Sequence, residues 1–164
     1  MTVRFRFGIF CCLICGMFFL FAACRFARTD RLAACKSPFC ASVAGELNNE
    51  AFSAQITVTA NERRISFSSP AVLEGLELTL SGERVTLSKN GIEVQTDAES
   101  MRGLALPLIL LTETDSTPQQ VEKQGDQYTL TFEGNISFTV SDRGLPRFVS
   151  FPEGSFRVTD FSPV

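Results

Sequence analysis

The sequence predicts a mainly β domain with short helices, of the α+β class, built as an antiparallel meander of about ten strands that has to curl. Three observations carry this expectation. Apolar and polar residues alternate with period two from Phe39 to Val158, short turn signals separate the alternating runs, and one apolar stretch between residues 97 and 120 breaks the pattern.

Phe39, Ala41, Val43, Gly45 and Leu47 alternate with Cys40, Ser42, Ala44, Glu46 and Asn48, and Phe52, Ala54, Ile56 and Val58 with Ser53, Gln55, Thr57 and Thr59. Successive strand residues point to opposite faces, so each run has one apolar side. The alternation recurs in Ile65-x-Phe67, Leu76-x-Leu78-x-Leu80, Val85-x-Leu87 and Ile92-x-Val94. It returns in Tyr128-x-Leu130-x-Phe132, Ile136-x-Phe138-x-Val140, Val149-x-Phe151 and Phe156-x-Val158. Between the runs lie Asn48-Asn49, Asn61-Glu62, Ser81-Gly82, Asn90-Gly91, Gly125-Asp126, Gly134-Asn135, Arg143-Gly144 and Glu153-Gly154. These residues tolerate the positive φ of tight hairpins, so consecutive strands should pair antiparallel. The alternate positions are rich in Thr, Ser, Gln and Glu, which suits a sheet with one wet side.

The interruption reads differently. Asp97 can cap "AESMRG" and Pro107 can open "PLILLTE", which predicts two short helices joined near Gly103. The run from Leu104 to Leu111 is apolar on every side, so it must be covered all round or exposed for a purpose. "TETDSTPQQ" after it is polar and loop-like.

Ahead of the meander, Arg4 and Arg6 precede 18 uncharged residues, Phe7 to Cys24, with Ala22-Ala23 at the end: the layout of an export signal over residues 1–23. That run is at the lower limit for crossing a hydrocarbon core of ~30 Å, so its length does not separate a signal from a permanent anchor. Phe21-Ala22-Ala23-Cys24 resembles a lipobox, the motif whose cysteine is lipidated and becomes the first mature residue; Phe21 stands where Leu is usual. Leu32-Ala33-Ala34-Cys35 is a closer string, but Arg25, Arg28, Asp30 and Arg31 just before it bar that segment from the bilayer. The expectation is a lipid anchor at Cys24, with simple cleavage or an uncleaved span as alternatives. Residues 24–38 are then a tether and a lead-in helix over Asp30 to Lys36, ended by Pro38, and residues 39–164 form a single domain. Cys35 and Cys40 fall on the side where a disulfide persists; they are candidates for one, and equally for free thiols.

Composition removes whole classes of function. The 164 residues carry a net charge of −3, and loss of Arg4 and Arg6 with a leader makes it −5. With no Lys/Arg cluster after Arg31 beyond Arg63 and Arg64, the footprint of a nucleic-acid binder is missing. The chain has no histidine, hence neither the commonest general base nor the commonest metal ligand. Glu74, Glu77 and Glu93 sit scattered among polar neighbours, and Cys35 and Cys40 have no histidine partner. No enzyme activity, cofactor or metal is expected.

A twisted sheet of about ten strands with one apolar face either closes into a barrel filled by its own side chains or stays a half-open barrel whose cleft the helices plug. The order of a lipobox-like cysteine, a lead-in helix, "PFCASVAGEL" as first strand, "SPAVLEGLELTLSGERVTLSKNGIEV", an apolar helical insert and closing hairpins resembles the LolA-like lipoproteins, and within them the lipoproteins of clostridia-type Gram-positive bacteria. The resemblance implies a curled half-barrel with helices over its concave face, on a monomer anchored by lipid to the cell membrane and facing outside the cytoplasm. It also implies a hydrophobic cavity for acyl chains or a lipidated client. The alternative it implies is an envelope sensor that binds a membrane regulator or a peptide. The residues that would line the cleft come from the alternation: Phe52, Ile56, Phe67, Leu78, Leu80, Leu87, Ile92, Phe132, Phe138 and Phe151, facing a lid of Leu106, Leu108, Ile109 and Leu111. The same residues would equally make a closed core.

Overall fold

The computed structural model describes residues 32–82, 84–97, 100–113 and 117–164; the export signal, Cys24 and the tether up to residue 31 lie outside them. The strands are β1 (Phe39–Leu47), β2 (Glu50–Val58), β3 (Arg63–Ser69), β4 (Glu77–Ser81), β5 (Arg84–Lys89), β6 (Ile92–Asp97), β7 (Gln120–Gln124), β8 (Gln127–Phe132), β9 (Ile136–Ser141), β10 (Pro146–Phe151) and β11 (Gly154–Pro163). One α-helix, α1 (Arg102–Glu113), falls between β6 and β7. All strands belong to one antiparallel sheet in the order β6-β5-β4-β3-β2-β1-β11-β10-β9-β8-β7. The sheet is curled and does not close: β6 and β7 are its two edges.

Turn chemistry explains the hairpins. Asn48 and Asn49, and Asn90 and Gly91, all have positive φ, as the two-residue turns that match strand twist require. Register then puts the apolar set on the concave face. Ala41, Ile56, Ile65, Leu78, Leu87 and Val94 face one another in sequence across six strands. Phe156, Val149, Phe138 and Leu130 do the same across the other arm.

The two arms meet where β1 pairs with β11 from Phe39↔Pro163 to Leu47↔Gly154. Gly45 lies in that seam, opposite Phe52 on one side and Phe156 on the other. A Cβ there would stand 2.1 Å from the Ser155 carbonyl oxygen and 2.5 Å from Phe156 Cα. The missing side chain lets the Phe52 and Phe156 rings approach edge-on with centroids 6.5 Å apart.

The sheet has eleven strands rather than about ten. The additional one, β7, carries Val121 as its single apolar residue and is otherwise exposed, so it has almost no period-two signal. The two expected helices are one. Pro107 lies inside α1, where it cannot donate to the Gly103 carbonyl and costs on the order of 3 kcal/mol. Gly103 is exposed, leaving water free to serve its carbonyl, and burial of Ala105, Pro107, Leu108, Leu110 and Leu111 holds the helix together. Asp97 ends β6 rather than capping a helix, which starts only at Arg102; its Oδ1 accepts from the Ser100 backbone N–H and hydroxyl, both at 2.8 Å, which holds its carboxyl below the usual range. The lead-in helix is, among the described residues, a single 3-10 turn, Ala33–Lys36.

Both Cys35 and Cys40 are free thiols. Phe39 packs inward with almost no exposure, so Cys40 after it turns to the outer face, beside Thr57 and Gln55. Cys35 is buried with Leu110, Leu111 and Phe138, and burial pushes its thiol up to about 12.

Two outcomes follow from this packing. Gly45→Ala should lower the denaturation midpoint by the equivalent of roughly 1–3 kcal/mol or more. Gly103→Ala, whose Cβ meets nothing within 4 Å, should raise it by roughly 0.5–1 kcal/mol. An unfolded Cys35 thiol titrates near 9.0 and the folded one near 12, so above pH ~9 the unfolded chain sheds a proton that the folded chain keeps. Stability should therefore decline from that pH upward, and denaturant titrations at about pH 7 and about pH 10 should show a smaller decline for Cys35→Ala than for wild type.

Candidate functional site

Helix α1 joins the two edges of the sheet and so has to cross its concave side. Its carboxyl end is tied to β3 by Arg63 and Glu113, Nη1 to Oε1 at 2.6 Å. Leu108 and Leu111 are almost wholly buried, whereas Leu106 and Ile109 are half-buried against the same core. Thr112 donates its hydroxyl back to the Leu108 carbonyl at 2.8 Å, which satisfies the one polar side chain on that stretch.

Cover thins out towards β6. Leu78, Leu80 and Val85 are buried; Leu87, beside Leu78, is half-buried; Val94, beside Leu87, is 56% exposed, and Ile92 is 70% exposed. The result is an apolar hollow of about 520 Å3 whose walls include Leu76, Leu87, Ile92, Val94, Thr96 and, at the entry to α1, Met101. It lies within the ~300–1,000 Å3 of ordinary small-ligand sites. The other face of β6 carries Glu93, Gln95 and Asp97, so its alternation is that of a strand with one face meant to be covered.

The polar rim is the β5–β6 hairpin. Lys89 pairs with Ile92 and shares its face, and its Nζ donates to the Val72 carbonyl oxygen at 2.8 Å. Val72, itself 74% exposed, sits on the turn between β3 and β4. A second hollow, about 630 Å3, opens on the outer face between β8 and β11; Arg147, Arg157, Asp126 and Gln127 give it a polar wall.

Of the ten residues expected along a cleft, Leu87 and Ile92 wall this one. Phe52, Ile56, Phe67, Leu78, Leu80, Phe132, Phe138 and Phe151 are buried in the core, where Phe132 and Phe138 meet edge to face. Sequence reasoning passed over Leu76, Lys89, Val94, Thr96 and Met101. Part of a signal existed, since Val94 shares the period-two phase of Ile92; that β6 is an edge of the sheet comes from the strand order alone. Among the described residues no three His, Cys, Asp or Glu side chains gather as a metal site, and no helix is long and apolar enough to cross a membrane.

No family model matches the chain, and no curated protein sequence matches it. Solved structures do resemble it. A conserved protein from Thermus thermophilus superimposes with a TM-score of 0.56 at 14% identity, covering 87% of each chain. A LolA superfamily protein from Nitrosomonas europaea gives 0.47 at 7% identity over 84% of this chain and 93% of that one. LprF from Mycobacterium bovis gives 0.37 at 14% identity over 82% and 91%. At these identities the likeness to the Thermus protein is one of fold: the curled antiparallel sheet crossed by a helix is an arrangement this chain shares with it.

Proposed function

We propose that the chain is an extracytoplasmic lipoprotein, tethered to the membrane through Cys24, that binds a lipid or another hydrophobic ligand between β6 and the start of α1. One observation carries the reading: the concave row Leu78–Leu87–Val94 runs out from buried core into an apolar hollow of about 520 Å3 that no described side chain fills. An apolar wall left open on a small domain is a binding surface by default. Helix α1 then works as a fixed cover over most of the concave face, and only its amino end, at Met101, borders the ligand.

A second reading rests on the edge itself. Among the described residues β6 offers an unpaired row of backbone groups with no proline or lysine in it, whereas β7 at the other edge carries Lys123. An extended peptide of a membrane regulator could add to β6 as a further strand.

Organic extraction of the purified chain followed by mass spectrometry separates the two: co-purified lipid near one per chain is expected, and a lipid-free protein that retains a peptide on β6 would favour the second. Val94→Asp should abolish the bound lipid while changing stability by no more than about 0.5 kcal/mol, because the side chain is more than half exposed. In cells, a palmitate analogue should label the wild-type chain and not Cys24→Ser; label that survives the substitution refutes the anchor.

A further inference from the structure

We infer that the hollow takes a single-chain amphiphile with an anionic head, its chain lying along β5 and β6 and its head held by Lys89; the inference rests on the hollow being a ligand site. The shape is the first reason. The apolar strip runs through three cross-strand rows, Val85/Thr96, Leu87/Val94 and Lys89/Ile92. Rows two residues apart are about 7 Å from each other, so the strip is ~13 Å long and one or two strands, ~5–10 Å, wide. A surface longer than it is wide, running along the strands, suits a segment of a single extended chain.

Charge is the second. Among the residues that wall the hollow, Lys89 is the one with a charge, and it stands at one end; Thr96 and Met101 are neutral. Its stem lies on the apolar face beside Ile92 while the bond to the Val72 carbonyl fixes the ammonium at the rim, leaving further N–H donors for a ligand. Among the described residues Lys89 forms no ion pair. Two of the nearby carboxylates lie on the other face of the sheet: Glu77 bonds Ser66 and Arg64 there, and Glu93 pairs with Ser88 on that same outer face. Glu74 lies exposed on the β3–β4 turn. Asn90 adds an amide to the wall next to Lys89. An apolar strip ended by one positioned cation complements a fatty-acid carboxylate or the phosphate of a single-chain phospholipid.

The test uses the full chain in vesicles of neutral phosphatidylcholine, with three photoreactive probes that share one 16-carbon chain: the fatty acid, the lysophosphatidic acid and the fatty alcohol. After irradiation, mass spectrometry maps the adducts. The expected result is labelling at Leu87, Val94 and Met101 that is about three- to tenfold stronger for one or both anionic probes than for the alcohol. Lys89→Gln should bring it down to the alcohol's level, and Lys89→Arg should keep it. Whichever anionic probe labels more strongly identifies the source of the head. Equal labelling by acid, phosphate and alcohol, unchanged in Lys89→Gln, overturns the head-group inference and leaves the hollow as a ligand site. Absence of any adduct in the hollow, with all three probes and in a chain whose unfolding curve is normal, overturns the ligand site itself.

Discussion

Everything in this fold depends on one strand pair. β1 is the first strand of the domain and β11 the last, and they pair along their length. Without that seam there would be two separate ranks of strands, each too small to bury its own apolar face. With it, Phe156 and Phe52 share a core across the join, and each rank lends the other its missing layer. The tightness of the seam comes from Gly45, where backbone stands in van der Waals contact with backbone. A seam between the ends of the domain also dictates the remaining topology: its two outermost strands are β6 and β7, neighbours in sequence at opposite edges in space.

That separation explains the helix. A flat rank of eleven strands would measure about 48 Å between its edges, whereas a 12-residue helix is about 18 Å long, and the ten other residues between β6 and β7 would have to be stretched almost fully to make up the rest. The sheet therefore curls around the connection, and the connection becomes the cover of the concave face. Apolar residues all round α1 follow from this position, because core lies beneath it and the curled walls rise beside it. The cover is anchored at its carboxyl end, by Leu111 in the core and by the Arg63–Glu113 pair, so what remains uncovered lies at the other end, beside β6.

Most of the strands were legible because period two and the Asn and Gly turns agree with each other. β7 was not, since an edge strand exposed on both faces carries no alternation to read; Val121 alone could not announce it. At Pro107 sequence and structure part, because local chemistry favours a break there and only the tertiary burial of its neighbours outweighs it. The same limit applied to the site. Residues of one apolar phase look alike in sequence, and Phe52 or Phe138 is indistinguishable from Val94 until the strand order is known. Distance from the seam decides which of them reaches the open edge.

The β1–β11 pair also has a consequence in time. A ribosome makes the first strand long before its partner, so the sheet cannot join its two halves until Gly154 to Pro163 have emerged. Contacts between residues so far apart in the chain form slowly, because a long loop must close before they are rewarded. Hairpins within each half can form as they are made, but the complete curled sheet, and with it the shared core, waits for β11.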